Sequence, residues 1–135
     1  MIARRQQRDQ DSIQSTDRPT LWSRGSFEHE ILEELVPRDN ELVIDKNASS
    51  AFNGTGIDQL LRNLNLETLV IAGMATDMCV ETTARDAADR GYNVIVVEDA
   101  VATFFPDHNR AALSALARVY AKVWSTDRVL SELCD

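Results

Sequence analysis

The chain of 135 residues has few cysteines and histidines, and it has no long apolar run. Its two cysteines, Cys79 and Cys134, lack the spacing of a zinc site and form no disulfide framework. His29 and His108 are too few and too far apart to indicate a metal site. We also expect His29, on a charged helix, to be exposed. We therefore predict neither a metal nor a cofactor.

The sequence also lacks a signal-peptide pattern and an apolar segment of membrane length, so we expect a reducing cytoplasm as the compartment. Basic residues are in the minority, 14 Lys and Arg against 22 Asp and Glu, which gives a formal net charge of −8. Such a surface has no general attraction for nucleic acid or for an anionic membrane, and we predict neither as a partner. The hydrophobic fraction of 44% is typical of a globular protein, and the length allows one domain.

Polarity divides the chain into two segments. Residues 1–20 carry almost no apolar side chains and mix both charge signs, which predicts a polar N-terminal arm or loop. In residues 21–135 short apolar runs alternate with helical patterns. We predict strands at 42–44, 69–72, 94–97 and 122–124, and helices that begin near Ser26, Thr55, Val80, Pro106 and Thr126. This order predicts an α/β fold, a parallel sheet with helices on both faces.

The spacing of apolar residues also predicts which helix faces are buried. The first helix, capped by Ser26 and ended by Pro37, should turn three side chains inward: Phe27, Ile31 and Leu35. For the later helices the expected inward sets are Ile57, Leu60, Leu61 and Leu64; Val80, Thr83, Ala84, Ala87 and Ala88; and Ala112, Leu113, Leu116, Val119 and Tyr120.

Residues 68–91 are the most informative stretch, because a short apolar strand is followed directly by a helical pattern. Gly91 stands where a helix C-terminus favours positive φ. Cys79 falls at the turn from strand to helix, where free N–H groups and the helix dipole favour a thiolate. The solvated helix face carries two acid–base pairs four residues apart, Glu81 with Arg85 and Asp86 with Arg90.

Two interpretations of Cys79 follow from the residues alone. An isolated cysteine is more often a small buried apolar residue than a nucleophile. The position at the carboxyl end of a predicted parallel strand favours the nucleophile, since α/β sheets bind their ligands in that crevice.

The segment 73–87, GMATDMCVETTARDA, resembles the signature of the isochorismatase-like cysteine hydrolases. The likeness extends from about Leu21 to the C-terminus, which implies an isochorismatase-like hydrolase domain, incomplete, over residues 21–135. The resemblance implies a three-layer α/β/α, Rossmann-like fold with strand order 3-2-1-4-5-6. It also implies dimers or larger homo-oligomers for an intact version.

The resemblance further implies a catalytic group. Cys79 matches the nucleophile, and Lys46, in the segment 45–55 (DKNASSAFNGT), matches a lysine at the end of a strand. A cis peptide bond maps to Met74–Ala75, and the backbone N–H groups of Ala75 and Cys79 would form an oxyanion hole. The expected substrate-binding residues are Phe52, Ser49, Ser50 and Thr76.

Without the resemblance, the same residues have ordinary interpretations. Lys46 would be a solvated side chain at the end of a strand, and residues 73–76 an ordinary strand-to-helix turn capped by Thr76 or Asp77.

The implied reaction is acyl transfer from a small amide or from a ureido or carbamoyl compound, through a Cys79 thioester, with release of ammonia. The segment 21–35, LWSRGSFEHEILEEL, is similar to the branch of the family that acts on ureido or carbamoyl amides. Two alternatives stay open: hydrolysis of a vinyl ether, and a catalytically impaired fragment that serves only as an oligomerisation or interaction module.

The chain departs from the family pattern at the general acid/base, an Asp that closes an apolar first strand as Asp-x-Gln. We find no such strand and expect the chain to begin after the second strand, so that about one βαβ unit is absent. Asp45, Asp77 and Asp86 do not match the missing position. The loss should lower the rate about 100- to 10,000-fold and leave unpaired strand edges in the middle of the sheet.

Overall fold

A computed structural model describes residues 2–5 and 25–133. Cys134, the rest of the polar segment and residues 21–24 lie outside the described residues. The elements are β1 (Ile2–Arg5), β2 (Val43–Lys46), α1 (Ile57–Asn63), β3 (Thr68–Met74), a π-helical turn (Thr76–Val80), α2 (Glu81–Asp89), β4 (Asn93–Ala102), α3 (Pro106–Val119), β5 (Lys122–Trp124) and α4 (Thr126–Leu133). Two short 3₁₀ turns, Phe27–His29 and Glu33–Leu35, precede β2.

All described strand pairs are parallel, and they form two sheets. β1 pairs with β2 from Ile2 opposite Val43 to Arg5 opposite Lys46. The second sheet has the order β3-β4-β5. Parallel strands alternating with helices confirm the predicted α/β class. Within the described ranges, no helix is long and apolar enough to span a membrane.

β1 corrects the interpretation of residues 1–20 as an arm or loop for Ile2–Arg5 alone, which form a strand. The prediction for residues 6–20 lies outside the described residues. In the order 3-2-1-4-5-6 that the resemblance implies, β2 corresponds to the third strand. Its parallel neighbour β1 then takes the second place, where we expect no strand from the sequence. The strand is set by backbone pairing with β2, which side-chain polarity does not reveal. Within residues 2–5 and 25–133, only the first strand of that order has no counterpart, and the division between the two sheets falls at its place.

β4 is the buried strand of the second sheet. Its run Val94–Val97 is at most 5% exposed, as expected for an apolar strand covered on both faces. β3 is equally apolar but more open, with Val70 46% and Met74 62% exposed. The difference is that β3 has β4 on one side and no described strand on the other.

The segment after Ser26 does not form the predicted helix. Ser26 makes no capping bond, and the chain forms two separate 3₁₀ turns before Pro37. Isolated helices of this length are marginal without a cap or a packed face, and Phe27 (85%) and Leu35 (62%) are exposed. His29 is buried (6% exposed), which corrects the expectation of an exposed histidine.

The helices after β2 follow the predicted faces more closely. α2 buries Ala84 and Ala87 completely, and Arg85 and Arg90 pair with Glu81 and Asp86 at 2.7 Å and 3.5 Å. Gly91 has φ +89°, as the helix end requires. Two inward predictions are wrong because the residues lie at helix ends: Leu64 follows α1 and is 59% exposed, and Val119 ends α3 and is 77% exposed.

Candidate active site

A cavity of about 310 Å³ lies between β2 and β3, against α1 and the π-helical turn. Lys46 and Cys79, predicted from distant parts of the sequence, both line it, as does Phe52. The remaining walls are apolar except for one hydroxyl: Ala51, Ile57, Leu61, Leu69, Val70, Ile71, Ala72, Met74, Val80 and Thr83. A concave, mostly apolar site with a few polar groups is typical of small-molecule binding.

Cys79 lies in the π-helical turn that joins β3 to α2. The Ala75 carbonyl accepts the N–H groups of Met78 (3.1 Å) and Val80 (3.2 Å), and the buried Val80 side chain anchors the end of the turn. The Cys79 thiol is free and partly buried. The Met74–Ala75 peptide bond directly before the turn is cis. Single π-helical turns within helices occur frequently at functional sites.

Lys46 is almost completely buried, with 5% of its surface exposed. Its Nζ donates hydrogen bonds to the backbone carbonyls of Ala48 and Ser49, both at 2.9 Å. A buried ammonium group needs such acceptors, because its desolvation is otherwise costly. This burial contradicts the interpretation of Lys46 as a solvated side chain. The two hydrogen bonds hold its ammonium group beside the loop that follows β2.

Phe52 forms part of the cavity wall. Its ring lies 6.0 Å from the Tyr92 ring and 4.7 Å from the Arg90 guanidinium carbon. Its N–H donates to Ser50 Oγ at 3.2 Å. The contacts with Tyr92, Arg90 and Ser50 hold Phe52 in place in the cavity wall.

The other predicted substrate-binding residues stand behind the cavity lining. Ser50 is 2% exposed, and Ser49 contributes its carbonyl to Lys46. Thr76 is fully buried, and its Oγ1 has no hydrogen-bond partner among the described residues. None of the three belongs to the lining of this cavity, so their contact with a substrate stays a prediction.

Asp77 belongs to a polar cluster that sequence reasoning missed. Thr103 Oγ1 donates to Asp77 Oδ1 at 2.5 Å, and His108 Nδ1 lies 3.2 Å from Asp77 Oδ2. The Thr103 bond is the main cause that lowers the pKa of the Asp77 carboxyl, aided by its own backbone N–H and by His108 and opposed by burial. The partners are 26 and 31 residues away, so no local pattern indicates them.

A second carboxylate cluster supports Tyr92 behind Phe52. Tyr92 Oη donates to Asp58 Oδ1 at 2.8 Å. Burial, followed by this bond to Asp58, raises the pKa of the Tyr92 phenol, while the same bond lowers the pKa of the Asp58 carboxyl. The pair joins α1 to the start of β4 and thereby holds one side of the cavity.

No cluster of three or more His, Cys, Asp or Glu that could hold a metal ion occurs in the described part of the chain. The cavity lining, as far as the described residues form it, also includes no Asp or Glu. The arrangement thus offers a thiol and an ammonium group in an apolar pocket.

Known proteins are similar to this chain in both sequence and fold. Residues 2–128 match the isochorismatase domain. The ureidoacrylate amidohydrolase RutB of Enterobacter sp. (strain 638) is 32% identical over 117 residues, which are 86% of this chain and 49% of that protein. The chain thus spans about half the length of this curated relative.

Two solved structures share the architecture. An isochorismatase-like hydrolase from Alkaliphilus metalliredigens has a TM-score of 0.85 at 26% identity, over 96% of this chain and 68% of its own. A cysteine hydrolase from Pseudomonas syringae pv. phaseolicola 1448A has a TM-score of 0.76 at 31% identity, over 81% of this chain and 56% of its own. Both likenesses agree with the α/β arrangement described above.

Proposed function

The chain belongs to the isochorismatase family, and on that premise we propose that it hydrolyses a C–N bond of a small amide, ureido or carbamoyl compound with Cys79 as the nucleophile. The observation that carries the proposal is that Cys79 and Lys46 line one apolar cavity. The names of two relatives, a ureidoacrylate amidohydrolase and a cysteine hydrolase, support the substrate class and the nucleophile.

In the proposed reaction the Cys79 thiolate attacks the carbonyl carbon. The C–N bond then breaks, the nitrogen takes up a proton and leaves as ammonia or an amine, and the acyl group stays on sulfur as a thioester. Water adds to the thioester, the C–S bond breaks, and the thiolate is restored. The N–H groups of Ala75 and Cys79 are the proposed oxyanion donors, and loss of such a donor costs about 3 kcal/mol.

Lys46 is proposed to favour the thiolate through its positive charge, which its two carbonyl partners hold beside the cavity. The proton for the leaving nitrogen needs an acid, and no described carboxylate lines the cavity. Unless a segment outside the described residues supplies a carboxylate, we therefore expect the rate to be about 100- to 10,000-fold lower than with such an acid.

The test is ammonia release from ureidoacrylate by the purified chain. Cys79→Ala should abolish the release because the nucleophile is lost, whereas Cys134→Ser, the matched change at the other cysteine, should retain it. Equal release by Cys79→Ala and the unchanged chain would contradict the assignment of Cys79 as the nucleophile. Release by neither would contradict activity of this chain.

A second candidate, a non-catalytic interaction module, is favoured by the open side of β3. Val70 and Met74 are 46% and 62% exposed on a strand that has no polar side chain after Thr68. Such an edge favours pairing with another strand. The proposed partner is a second copy of the chain. Ammonia release by a chain that stays monomeric would exclude interaction as the only function.

A further inference from the structure

We propose that Asp77 is a positioning residue for Cys79, held in place by Thr103 and His108. This inference rests on the proposed role of Cys79 as the nucleophile. Asp77 and Cys79 belong to the same π-helical turn, two residues apart. Thr103 and His108 belong to the β4–α3 corner, which we define as residues 103–108.

The carboxylate of Asp77 joins the turn to this corner through both of its oxygens. Oδ1 accepts from Thr103 Oγ1 at 2.5 Å, and Oδ2 lies 3.2 Å from His108 Nδ1. The Asp77 side chain is 22% exposed, so both contacts are partly shielded from water. A hydrogen bond to a charged group is stronger than one between neutral groups, particularly when water is partly excluded.

The same carboxylate does not cap the turn to which it belongs. The N-cap of the π-helical turn is Ala75, and no side chain caps it. This corrects the interpretation of Thr76 or Asp77 as a helix cap. A carboxylate that contacts a distant corner restrains the whole turn, including Cys79, relative to β4 and α3.

Further contacts order the corner around His108. The His108 ring lies 5.1 Å from the Phe105 ring, and the Asn109 N–H donates to the Phe105 carbonyl at 3.1 Å. α3 also packs directly against the π-helical turn. The turn is therefore held at its start by the Ala75 carbonyl and at its side by Asp77.

The test is the rate of Cys79 alkylation by iodoacetamide as a function of pH, in a Cys134→Ser background. Thr103→Val removes the donor while keeping the side-chain shape, and we expect the rate at pH 7 to fall about tenfold because the turn no longer holds Cys79 beside its N–H groups. Thr103→Ser, which keeps the hydroxyl, should restore the rate and the pH at which it is half-maximal.

The matched control is Thr126→Val, since Thr126 Oγ1 also donates to an aspartate, Asp99 Oδ1 at 2.9 Å, but lies at the start of α4 and not in the π-helical turn. It should change the rate by less than about twofold. If Thr103→Val fails to fold, His108→Ala serves instead, because His108 is 58% exposed; it should slow the alkylation about threefold.

An unchanged alkylation profile in a folded Thr103→Val, or one altered equally by Thr126→Val, would overturn the positioning role. A lower unfolding temperature with an unchanged profile would also overturn it, because it indicates a structural bond only. The assay needs no turnover. A slowed alkylation in a chain that releases no ammonia would therefore support Asp77 and contradict the proposed function separately.

Discussion

Lys46 is the residue through which β2 contributes to the proposed site. The side chain is buried in an apolar cavity that it shares with Cys79, and two backbone carbonyls of the following loop accept its hydrogen bonds. In such surroundings a positive charge acts on a thiol more strongly than in water. Its removal should therefore be felt at Cys79 before any substrate is present.

We predict that Lys46→Met slows the alkylation of Cys79 at pH 7 by about tenfold, since the substitution removes the cation that is proposed to act on Cys79 in the shared cavity. Methionine keeps most of the apolar volume, so the fold should be retained. Lys122, the only other lysine, lies on β5, and its Nζ is 5.0 Å from the centroid of the Trp124 ring. Lys122→Met is the control and should leave the rate within about twofold; equal rates in the two variants would show that Lys46 does not act on Cys79.

At the scale of elements, predictions succeeded where the signal is local. β5 has the predicted bounds, and α2 has the predicted buried face, acid–base pairs and terminal glycine. Each depends on residues within one or two turns of one another. The cavity residues Lys46 and Phe52 were named from the resemblance, whereas the position of Cys79 between strand and helix also favoured it as a nucleophile.

Predictions failed where the outcome depends on distant partners. β1 is polar in sequence and exists as a strand through its pairing with β2. The helix expected after Ser26 had suitable apolar spacing but no cap, and it forms two short turns. The contacts of Asp77 with Thr103 and His108 join segments 26 and 31 residues apart, which a single sequence does not reveal.

For the whole molecule, the important feature is the division of the strands into two sheets. The described strands agree with the order 3-2-1-4-5-6 except at its first position, and the cavity with Cys79 and Lys46 lies between the sheets. The chain spans about half of one relative and two thirds of another. A further strand at this position would border the proposed site. Pairing of such a strand with β3 should therefore affect activity.

We predict that the purified chain associates with itself through the open side of β3, and that sedimentation equilibrium detects this as a mass that rises with concentration. Val70→Lys should weaken the association at least about tenfold, because a charge would be buried in an apolar contact. Leu130→Lys on α4 is the matched control, since Leu130 is 53% exposed and Val70 46%. Equal weakening by both substitutions, or a constant monomer mass, would contradict association through β3.

The measurement that tests the central claim most directly is mass spectrometry of the chain after rapid acid quenching in the presence of ureidoacrylate. The account predicts an acyl adduct on the peptide that contains Cys79, because the acyl group stays on sulfur until water hydrolyses the thioester. The adduct should be absent in Cys79→Ala and present in Cys134→Ser. Turnover of ureidoacrylate with the adduct on another residue, or turnover that persists in Cys79→Ala, would contradict the account.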